Sequence, residues 1–336
     1  MGLDMRNVLI TGAAGSLGHT IANLMVSDTT RVYGFLLPFE SDELLDTRVI
    51  RVKGDVLNQE SLENAFDQLG EHGIVIHCAG MISIDPKVSE RIYKVNVEGT
   101  KNIINFCEKH KVKQLIYVSS VHAIPELKKG LLIAETSDIS PDKVFGHYSK
   151  SKAIATRYLM DRMEEGFPAT IVYPSGIISD EDVKNAFMTQ MVKDYLNKSM
   201  KIGVKGGYDF VDVRDVAQAI ITIVDKEILN EHYILSNQYY TVKKLMGMLY
   251  ELTNLHKVKL HLPVSLIRMV LPFKLIDDKR RHKVSLYTAD SLTFLSSKSN
   301  FSHQKSEKAL DYHPRDIMET FELLVKRLSA SRRPLA

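Results

Sequence analysis

Short apolar runs alternate with amphipathic stretches through the first two thirds of the 336-residue chain. Six of these runs have the near-continuous apolar character of strands that are buried on both faces. They are residues 8–10, 31–35, 49–52, 74–77, 114–118 and 169–173. Helical spacing of apolar residues marks the intervening stretches, 18–25, 59–68, 89–110 and 148–163. The alternation predicts an α/β fold with a doubly wound parallel sheet.

The pattern loosens after about residue 176. We expect residues 177–207 and 251–336 to build a smaller second lobe, and we expect 208–250 to return to the main domain that 1–176 begins. A chain of this length has room for about two domains. Because no low-complexity linker separates the two parts, they should be fused compactly.

Charge and cysteine content narrow the functional classes. The formal net charge of +3 is small and dispersed, which argues against a nucleic-acid partner. Cys78 and Cys107 lie in apolar surroundings without metal-ligand spacing, so we expect reduced thiols and no metal site. The first residues lack the long apolar core of a signal peptide. A cytoplasmic protein is the expectation.

Two strand ends have the composition of a dinucleotide site. The turn "TGAAGSLG" (11–18) spaces glycines three apart, so the backbone can approach a pyrophosphate at a helix N-terminus. The predicted contacts are Gly12, Gly15, Ser16, Leu17 and Gly18. A tight turn alone is the alternative, but its place directly after an apolar strand favours dinucleotide binding. In "KGDVLN", Asp55 and Val56 follow the third strand, where the carboxylate would accept from an adenine amino group or act as a turn acid.

A tyrosine and two lysines occur together in "FGHYSKSK" (145–152). On a helix, residues four apart share a face and residues two apart do not, so Lys152 can reach the Tyr148 ring and Lys150 cannot. A tyrosine has a pKa of about 10, and a neighbouring cation would bring that pKa nearer the working pH. Such a pair also occurs by chance on wetted helix faces, so its meaning depends on the rest of the chain.

Eight motifs occur in a fixed order along the chain: "TGAAGSLG", "GDV", "HCAG", "NVEGT", "YVSS", Tyr148-xxx-Lys152, "YPSGI" and "FVDVRDVA". In this order the sequence resembles the extended short-chain dehydrogenase/reductase family, the NAD-dependent epimerase/dehydratase type with a Rossmann fold. Within it, the pattern is most similar to the branch of 3β-hydroxysteroid dehydrogenases and dihydroflavonol reductases. The closing stretch 301–322 also resembles that branch.

The resemblance implies roles for five side chains. Tyr148 would be the proton donor or acceptor, and Lys152 would bind the nicotinamide ribose and favour the tyrosinate. Ser120 would hydrogen-bond the substrate oxygen, while Ser119 would face the cofactor. Asn96 would hold a water that relays protons toward the lysine, or it would be a helix-packing amide.

The resemblance also implies cofactor contacts at the ends of two further strands. These are Cys78, Ala79, Gly80, Pro174, Gly176 and Ile177. Parallel α/β sheets bind their ligands at this edge. His77 fits a core strand residue better than a catalytic base, and Asp212 and Asp215 fit caps of a helix that begins near Val216.

These residues together predict an NAD(P)-dependent oxidoreductase that interconverts a secondary alcohol and a ketone or aldehyde. A sugar-nucleotide epimerase with retained NAD is the alternative, and a redox sensor without turnover is a third class that has no use for an intact Ser120, Tyr148 and Lys152. Dehydration is disfavoured, because Val121 and His122 stand where dehydratases usually have an acidic pair.

The choice between NAD and NADP depends on the end of the second strand. Leu36 and Leu37 stand where relatives carry an acidic or a basic selector. The next ten residues contain four acids and no base, which would repel an added phosphate. Arg31 and Arg48 could fold back, and NAD is favoured over NADP.

The segment "LPVSLIRMVLPFKLI" (262–276) suggests a partly apolar small-molecule substrate. The segment is too short to cross a bilayer. It would be core of the second lobe, a pocket wall or lid, or, with "KRRHK" after it, a membrane-surface helix. The resemblance further implies a homodimer that packs helices around 98–110 and 148–163.

Overall fold

The computed structural model describes residues 5–82, 89–126, 131–182, 186–280, 288–297 and 299–330. Its strands are β1 (Arg6–Thr11), β2 (Thr30–Leu36), β3 (Ile50–Lys53), β4 (Ile74–His77), β5 (Gln114–Val118), β6 (Leu132–Ile133), β7 (Ala169–Pro174), β8 (Gly176–Ile178), β9 (Ile202–Lys205), β10 (Gly207–Asp212), β11 (Glu231–Leu235), β12 (Gln238–Thr241), β13 (Leu260–Pro263) and β14 (Asn300–Phe301).

Its α-helices are α1 (Ser16–Met25), α2 (Gln59–Leu69), α3 (Ser89–Tyr93), α4 (Thr100–Lys109), α5 (His147–Glu164), α6 (Phe187–Leu196), α7 (Val213–Asp225), α8 (Val242–Thr253), α9 (Val264–Arg280), α10 (Ala289–Ser297), α11 (Gln304–Leu310) and α12 (Ile317–Ala330). A π-helical segment, Lys94–Gly99, joins α3 to α4. Within the described ranges, no helix is long and apolar enough to span a bilayer.

Seven parallel strands form the central sheet in the order β11-β7-β5-β4-β1-β2-β3. This confirms the predicted doubly wound parallel sheet. The chain leaves β1 toward β2 and β3 and then crosses to β4 on the other side of β1. The strand order therefore reverses between β1 and β4, and ligands of open α/β sheets bind in the crevice at such a point.

The core lies on both faces of this sheet. Along β1, Val8 and Ile10 join one buried cluster and Leu9 joins the other. The first cluster is shared with α1 and α7, while α2, α4 and α5 cover the opposite face. Because both faces are covered, the strands need apolar residues at every position, and this explains the continuous apolar runs of the sequence.

A smaller set of strands follows the central sheet. β10 pairs with β8 in parallel and with β12 antiparallel, and β9 pairs with β13. The predicted return segment 208–250 contributes to both parts, since β11 joins the central sheet and β10 and β12 do not. The domain limits stay a prediction.

Candidate active site

The turn between β1 and α1 can be built only with glycine at two positions. Gly12 has a φ of +70°, and a Cβ there would lie 2.8 Å from the backbone nitrogen of Ala79. A Cβ on Gly18 would lie 2.2 Å from the carbonyl oxygen of Gly12. The helix begins at Ser16 with no acid in its first turn and no side-chain cap, so no carboxylate of that turn offsets the positive end of the helix dipole. This cradle fits a dinucleotide pyrophosphate.

The turn after β4 lies against this cradle. The backbone N–H of Cys78 donates to the Thr11 carbonyl (3.2 Å), and that of Ala79 donates to Thr11 Oγ1 (3.2 Å). A Cβ on Gly80 would approach Lys152 Nζ and Asn96 Oδ1 to 3.4 Å. Burial raises the pKa of the Cys78 thiol to about 12, so this cysteine is a neutral wall of the cleft rather than a nucleophile.

Lys152 and Lys150 have opposite environments. Lys150 is exposed, whereas Lys152 is 5% exposed and its Nζ donates to the Val118 carbonyl at 2.8 Å. The same Nζ lies 5.0 Å from the centre of the Tyr117 ring. Burial lowers the pKa of Lys152 to about 8, so the side chain is a charged ammonium at neutral pH and loses its proton slightly above that pH.

Tyr148 and Ser120 meet just after the end of β5. Burial raises the pKa of Tyr148, and a hydrogen bond with Ser120 opposes that rise. The direction is opposite to the lowering expected from Lys152, because the ammonium is bound to the Val118 carbonyl and burial dominates. Ser120 Oγ also accepts from the backbone N–H of His122 at 3.2 Å, which fixes the serine at the end of β5. Tyr148 is therefore a phenol at neutral pH.

Ser119 points away from Ser120 and into the protein. Its Oγ lies 2.6 Å from Thr156 Oγ1 on α5, and its backbone N–H donates to the Val172 carbonyl. The two serines alternate along an extended backbone, so neighbouring side chains have opposite directions. The structure places Ser119 against α5, and a contact with the cofactor stays a prediction.

Asn96 lies in the π-helical segment and ties three elements together. Its Oδ1 accepts from the backbone N–H of Met81 (2.7 Å), and its Nδ2 donates to the Met81 carbonyl and to Ser151 Oγ (both 3.0 Å). The amide thus fixes the turn after Gly80 against α5, which is the geometry of a packing amide. The proton-relay role stays a prediction.

His77 is a core histidine, as the sequence indicates. It is fully buried, and its two ring nitrogens lie 2.7 Å from Thr11 Oγ1 and 3.0 Å from Thr100 Oγ1. Burial lowers its pKa to about 3, so the ring is neutral. It supports the strand ends that carry the cleft but does not face it.

Asp55 forms a turn of its own. Its Oδ1 accepts from the backbone N–H of Leu57 at 2.9 Å, which matches the alternative of a turn acid. Val56 is buried, and its carbonyl accepts from Asn102 Nδ2 at 3.0 Å. The adenine contact stays a prediction.

The turn after β7 packs against a carboxylate that the sequence analysis missed. A Cβ on Gly176 would lie 2.7 Å from the Phe210 ring, so Pro174 and Ile177 flank a tightly packed turn. Asp209, fully buried on β10, lies beside Ser175 of this turn and accepts from the Asn237 backbone N–H at 3.1 Å. Burial raises the pKa of Asp209 to about 6.

The two aspartates of "FVDVRDVA" are structural. Asp212 caps α7 by accepting from the Arg214 backbone N–H at 2.7 Å. Asp215, in the first turn of α7, accepts from the Arg315 backbone N–H (2.9 Å) and guanidinium (2.8 Å). The helix begins at Val213, three residues before the predicted start, because Asp212 supplies the cap.

Side chains from distant segments close the substrate side, and the sequence analysis assigned none of them a place there. His122 Nε2 lies 2.9 Å from the Tyr208 hydroxyl. The His122 ring packs 4.1 Å from the Phe294 ring and meets the Tyr148 ring edge-on at 6.1 Å. His122 follows Ser120 closely enough to be suspected from sequence. No local signal places Tyr208 or Phe294 here.

Basic groups after β2 are bound to their own loop. Arg48 forms hydrogen bonds to both carboxylate oxygens of Asp46 (3.0 and 2.9 Å). Arg51, which the sequence analysis did not consider, donates to the carbonyls of Leu45 (3.0 Å) and Val49 (2.7 Å). Both cations thus already have partners in the loop that follows the buried Leu36.

Comparison with known proteins agrees with this fold. Sterol demethylase protein B of Methylococcus capsulatus is 24% identical over 316 residues, which are 93% of this chain and 95% of that protein. A putative dihydroflavonol 4-reductase of Synechocystis is 26% identical over 80% of this chain and 78% of that protein. UDP-glucose 4-epimerase of Thermus thermophilus, solved in complex with NAD, superimposes with a TM-score of 0.76 at 18% identity, covering 97% of this chain and 99% of that one.

The family assignment follows from a match to a family model. The sequence model of the NAD-dependent epimerase/dehydratase family matches residues 8–236, from β1 to just past β11. This range contains the glycine cradle, Ser120, Tyr148 and Lys152. The chain therefore belongs to the NAD-dependent epimerase/dehydratase family, the extended type of short-chain dehydrogenases/reductases, and is an enzyme of that type.

Proposed function

We propose that this enzyme interconverts a secondary alcohol and a ketone or aldehyde with NAD as the hydride carrier and Tyr148 as the proton donor and acceptor. One observation carries the proposal: Ser120 hydrogen-bonds Tyr148, and the buried Lys152 lies one helical turn further along α5, against the Gly80 turn. The Tyr148 phenol can donate a proton, the Ser120 hydroxyl can donate a hydrogen bond, and Lys152 supplies a positive charge. These three groups at one sheet edge suit proton transfer to a carbonyl oxygen.

The protonation states suit carbonyl reduction. NAD, when bound, supplies or takes up the hydride. Tyr148 has a raised pKa and therefore holds its proton at neutral pH, ready for transfer to the carbonyl oxygen. Ser120 is held by the His122 backbone N–H in a position to donate to the same oxygen. Lys152 holds a positive charge nearby, which stabilises the tyrosinate that remains after the transfer.

The apolar wall favours a partly apolar substrate. Phe294, Val121 and Val144 surround the space next to Tyr148.

The segment 262–276 is partly buried. Leu271 is buried, while Leu266 and Met269 are exposed. The side chains of 273–276 and residues 281–283 of the basic stretch lie outside the described part of the chain. We keep weak membrane-surface contact as a proposal, and liposome flotation at low salt tests it.

Cofactor choice, location and assembly are also proposals. NAD is favoured because Arg48 is bound to Asp46 within an acidic loop.

Cys78 and Cys107 are free thiols, which suits a reducing cytoplasm. A homodimer through α4 and α5 would cover the ion pair of Arg157 with Asp161, and light scattering at several concentrations tests it.

The first experiment separates a reductase from an epimerase. The absorbance of the purified protein near 260 and 340 nm, about where dinucleotides absorb, shows whether a nucleotide is retained. We expect little retention and consumption of NADH with apolar ketones but not with nucleotide sugars. A tightly retained dinucleotide together with epimerisation of a nucleotide sugar would contradict the proposal.

A further inference from the structure

A small cavity lies beside the proposed proton donor. It is lined by Ser149, which follows Tyr148 on α5, and by His122, whose ring meets the Tyr148 ring edge-on. Val121 and Phe294 form apolar walls. The volume of about 20 Å³ holds one group of the size of a water molecule or a hydroxyl.

Ser149 presents an unpartnered hydroxyl to this cavity. The residue is fully buried, and its Oγ has no hydrogen-bond partner among the residues that the structure describes. Burying a hydroxyl without a partner is costly, and the great majority of buried polar groups are bonded to protein or water. A polar group from a ligand would satisfy it.

His122 and Tyr208 supply a second polar group at the same cavity. Burial lowers the pKa of His122 to about 4 and raises that of Tyr208, so at neutral pH both are uncharged. The pair then holds two exchangeable protons. One of them lies in the 2.9 Å hydrogen bond between the Tyr208 hydroxyl and His122 Nε2. Whichever tautomer is present, one donor proton and one acceptor site remain for a third partner.

We propose that this cavity is a subsite for an uncharged, hydroxyl-sized polar group that the substrate carries next to its reacting carbon. Ser149 and the His122–Tyr208 pair bind that group. The inference rests on the proposed function, because it takes Tyr148 as the point of reaction. It makes these residues determinants of specificity rather than of the proton transfer.

Charge at the cavity excludes an acidic group there. Glu126 lines the same space and accepts from Ser299 Oγ at 3.2 Å, so it is held near the pair. None of the described residues that line the cavity is a cation. A carboxylate would be too large for this volume and would face a second carboxylate, so a neutral hydroxyl fits and an acid does not.

The test uses two ketones of equal size. 2-Hydroxycyclohexanone and 2-methylcyclohexanone differ in one hydrogen-bonding group, and both are offered with NADH. We expect kcat/KM to favour the hydroxy ketone by about 10-fold or more in the wild-type enzyme. Ser149→Ala should reduce that preference to within about 3-fold by slowing the hydroxy ketone alone. Tyr208→Phe should weaken the preference in the same direction.

A matched control removes an equally buried serine elsewhere. Ser306 is fully buried on α11 and donates to the Ile234 carbonyl at 2.6 Å. Ser306→Ala should keep the preference of the wild-type enzyme. A similar loss of preference in Ser306→Ala and Ser149→Ala would overturn the subsite.

A binding measurement separates this inference from the proposed function. The Tyr148→Phe protein is used here, because it should bind NADH but reduce ketones too slowly to consume the NADH during a titration. Quenching of nicotinamide fluorescence gives the Kd of each ketone for this protein saturated with NADH. Equal Kd values for the two ketones, as expected if the cavity holds only water, overturn the subsite. Unequal Kd values that an added Ser149→Ala change equalises, together with no turnover by the wild-type enzyme, support the subsite and overturn the proposed oxidoreduction.

Discussion

The two sides of the cleft are built by different means. On the cofactor side, backbone atoms decide the shape: Gly12 and Gly18 leave no space for a side chain, and Thr11 ties the next strand end to the cradle. On the substrate side, His122, Tyr208 and Phe294 meet through their rings. A backbone site tolerates few changes and serves one cofactor, whereas a side-chain site changes its specificity with single substitutions.

The largest effect on cofactor binding should come from a methyl group on the cofactor side. Gly18→Ala places a Cβ 2.2 Å from the Gly12 carbonyl oxygen, so the cradle must shift. We expect NADH affinity to fall by about 100-fold or more, measured by fluorescence titration. Gly247→Ala is the control, because that helical position is open and the change should stabilise the fold by about 0.5–1 kcal/mol. Unchanged affinity in Gly18→Ala would show that the cradle is more plastic than its contacts indicate.

The two lysines of α5 give the next largest contrast. Lys152→Ala removes the cation and leaves the Val118 carbonyl without its donor, so we expect kcat/KM to fall by about 100-fold or more. Lys150→Ala changes an exposed side chain and should leave kcat/KM within about twofold. Steady-state kinetics of both variants decide the point, and equal losses would contradict the assignment.

Cofactor preference should be a smaller effect, since it depends on exposed charges. We expect NADPH to bind about 10-fold more weakly than NADH at low salt, because the loop after β2 is acidic and Arg48 is bound to Asp46. Parallel titrations measure the two Kd values. Tighter binding of NADPH, weakened by Arg31→Ala or Arg48→Ala, would reverse the proposal.

The smallest effect concerns Asp209, which lies between the two sides. Its raised pKa of about 6 means that the folded protein holds a proton there that the unfolded chain releases near pH 4. The protonated Asp209 carboxyl therefore adds its full contribution to the free energy of unfolding below pH 4, and this contribution is lost as the pH rises through 6. Asp209→Asn should therefore stabilise the protein at pH 7.5 by about 1 kcal/mol and have little effect at pH 4. Thermal melts at both pH values measure the difference, and a destabilised variant at pH 7.5 would refute it.

The sequence predicts much of the cofactor side because its signals are local. Six central strands, the glycine turn and the Lys152 face follow from spacing within a few residues. β11 was not identified as a separate strand, since it begins with Glu231 and His232 and gains its place by pairing with β7. The π-helical segment was hidden in a continuous helical pattern.

The substrate side depends on contacts between distant segments, which local spacing cannot reveal. Tyr208 is 86 residues from His122, and Phe294 comes from a later helix. The pKa of Tyr148 is another case: the expected lowering by Lys152 takes only the helical spacing into account, whereas burial and the Val118 carbonyl depend on the folded surroundings. Asp209 was missed for the same reason.

The most direct test of Tyr148 as proton donor is to measure turnover and cofactor binding in the same variant. Tyr148→Phe removes the hydroxyl and keeps the ring that packs on His122. We predict that kcat falls by about 10²- to 10⁴-fold while the Kd for NADH stays within about threefold. A Tyr148→Phe enzyme with near wild-type kcat, or one that loses NADH affinity in parallel with turnover, would contradict the account.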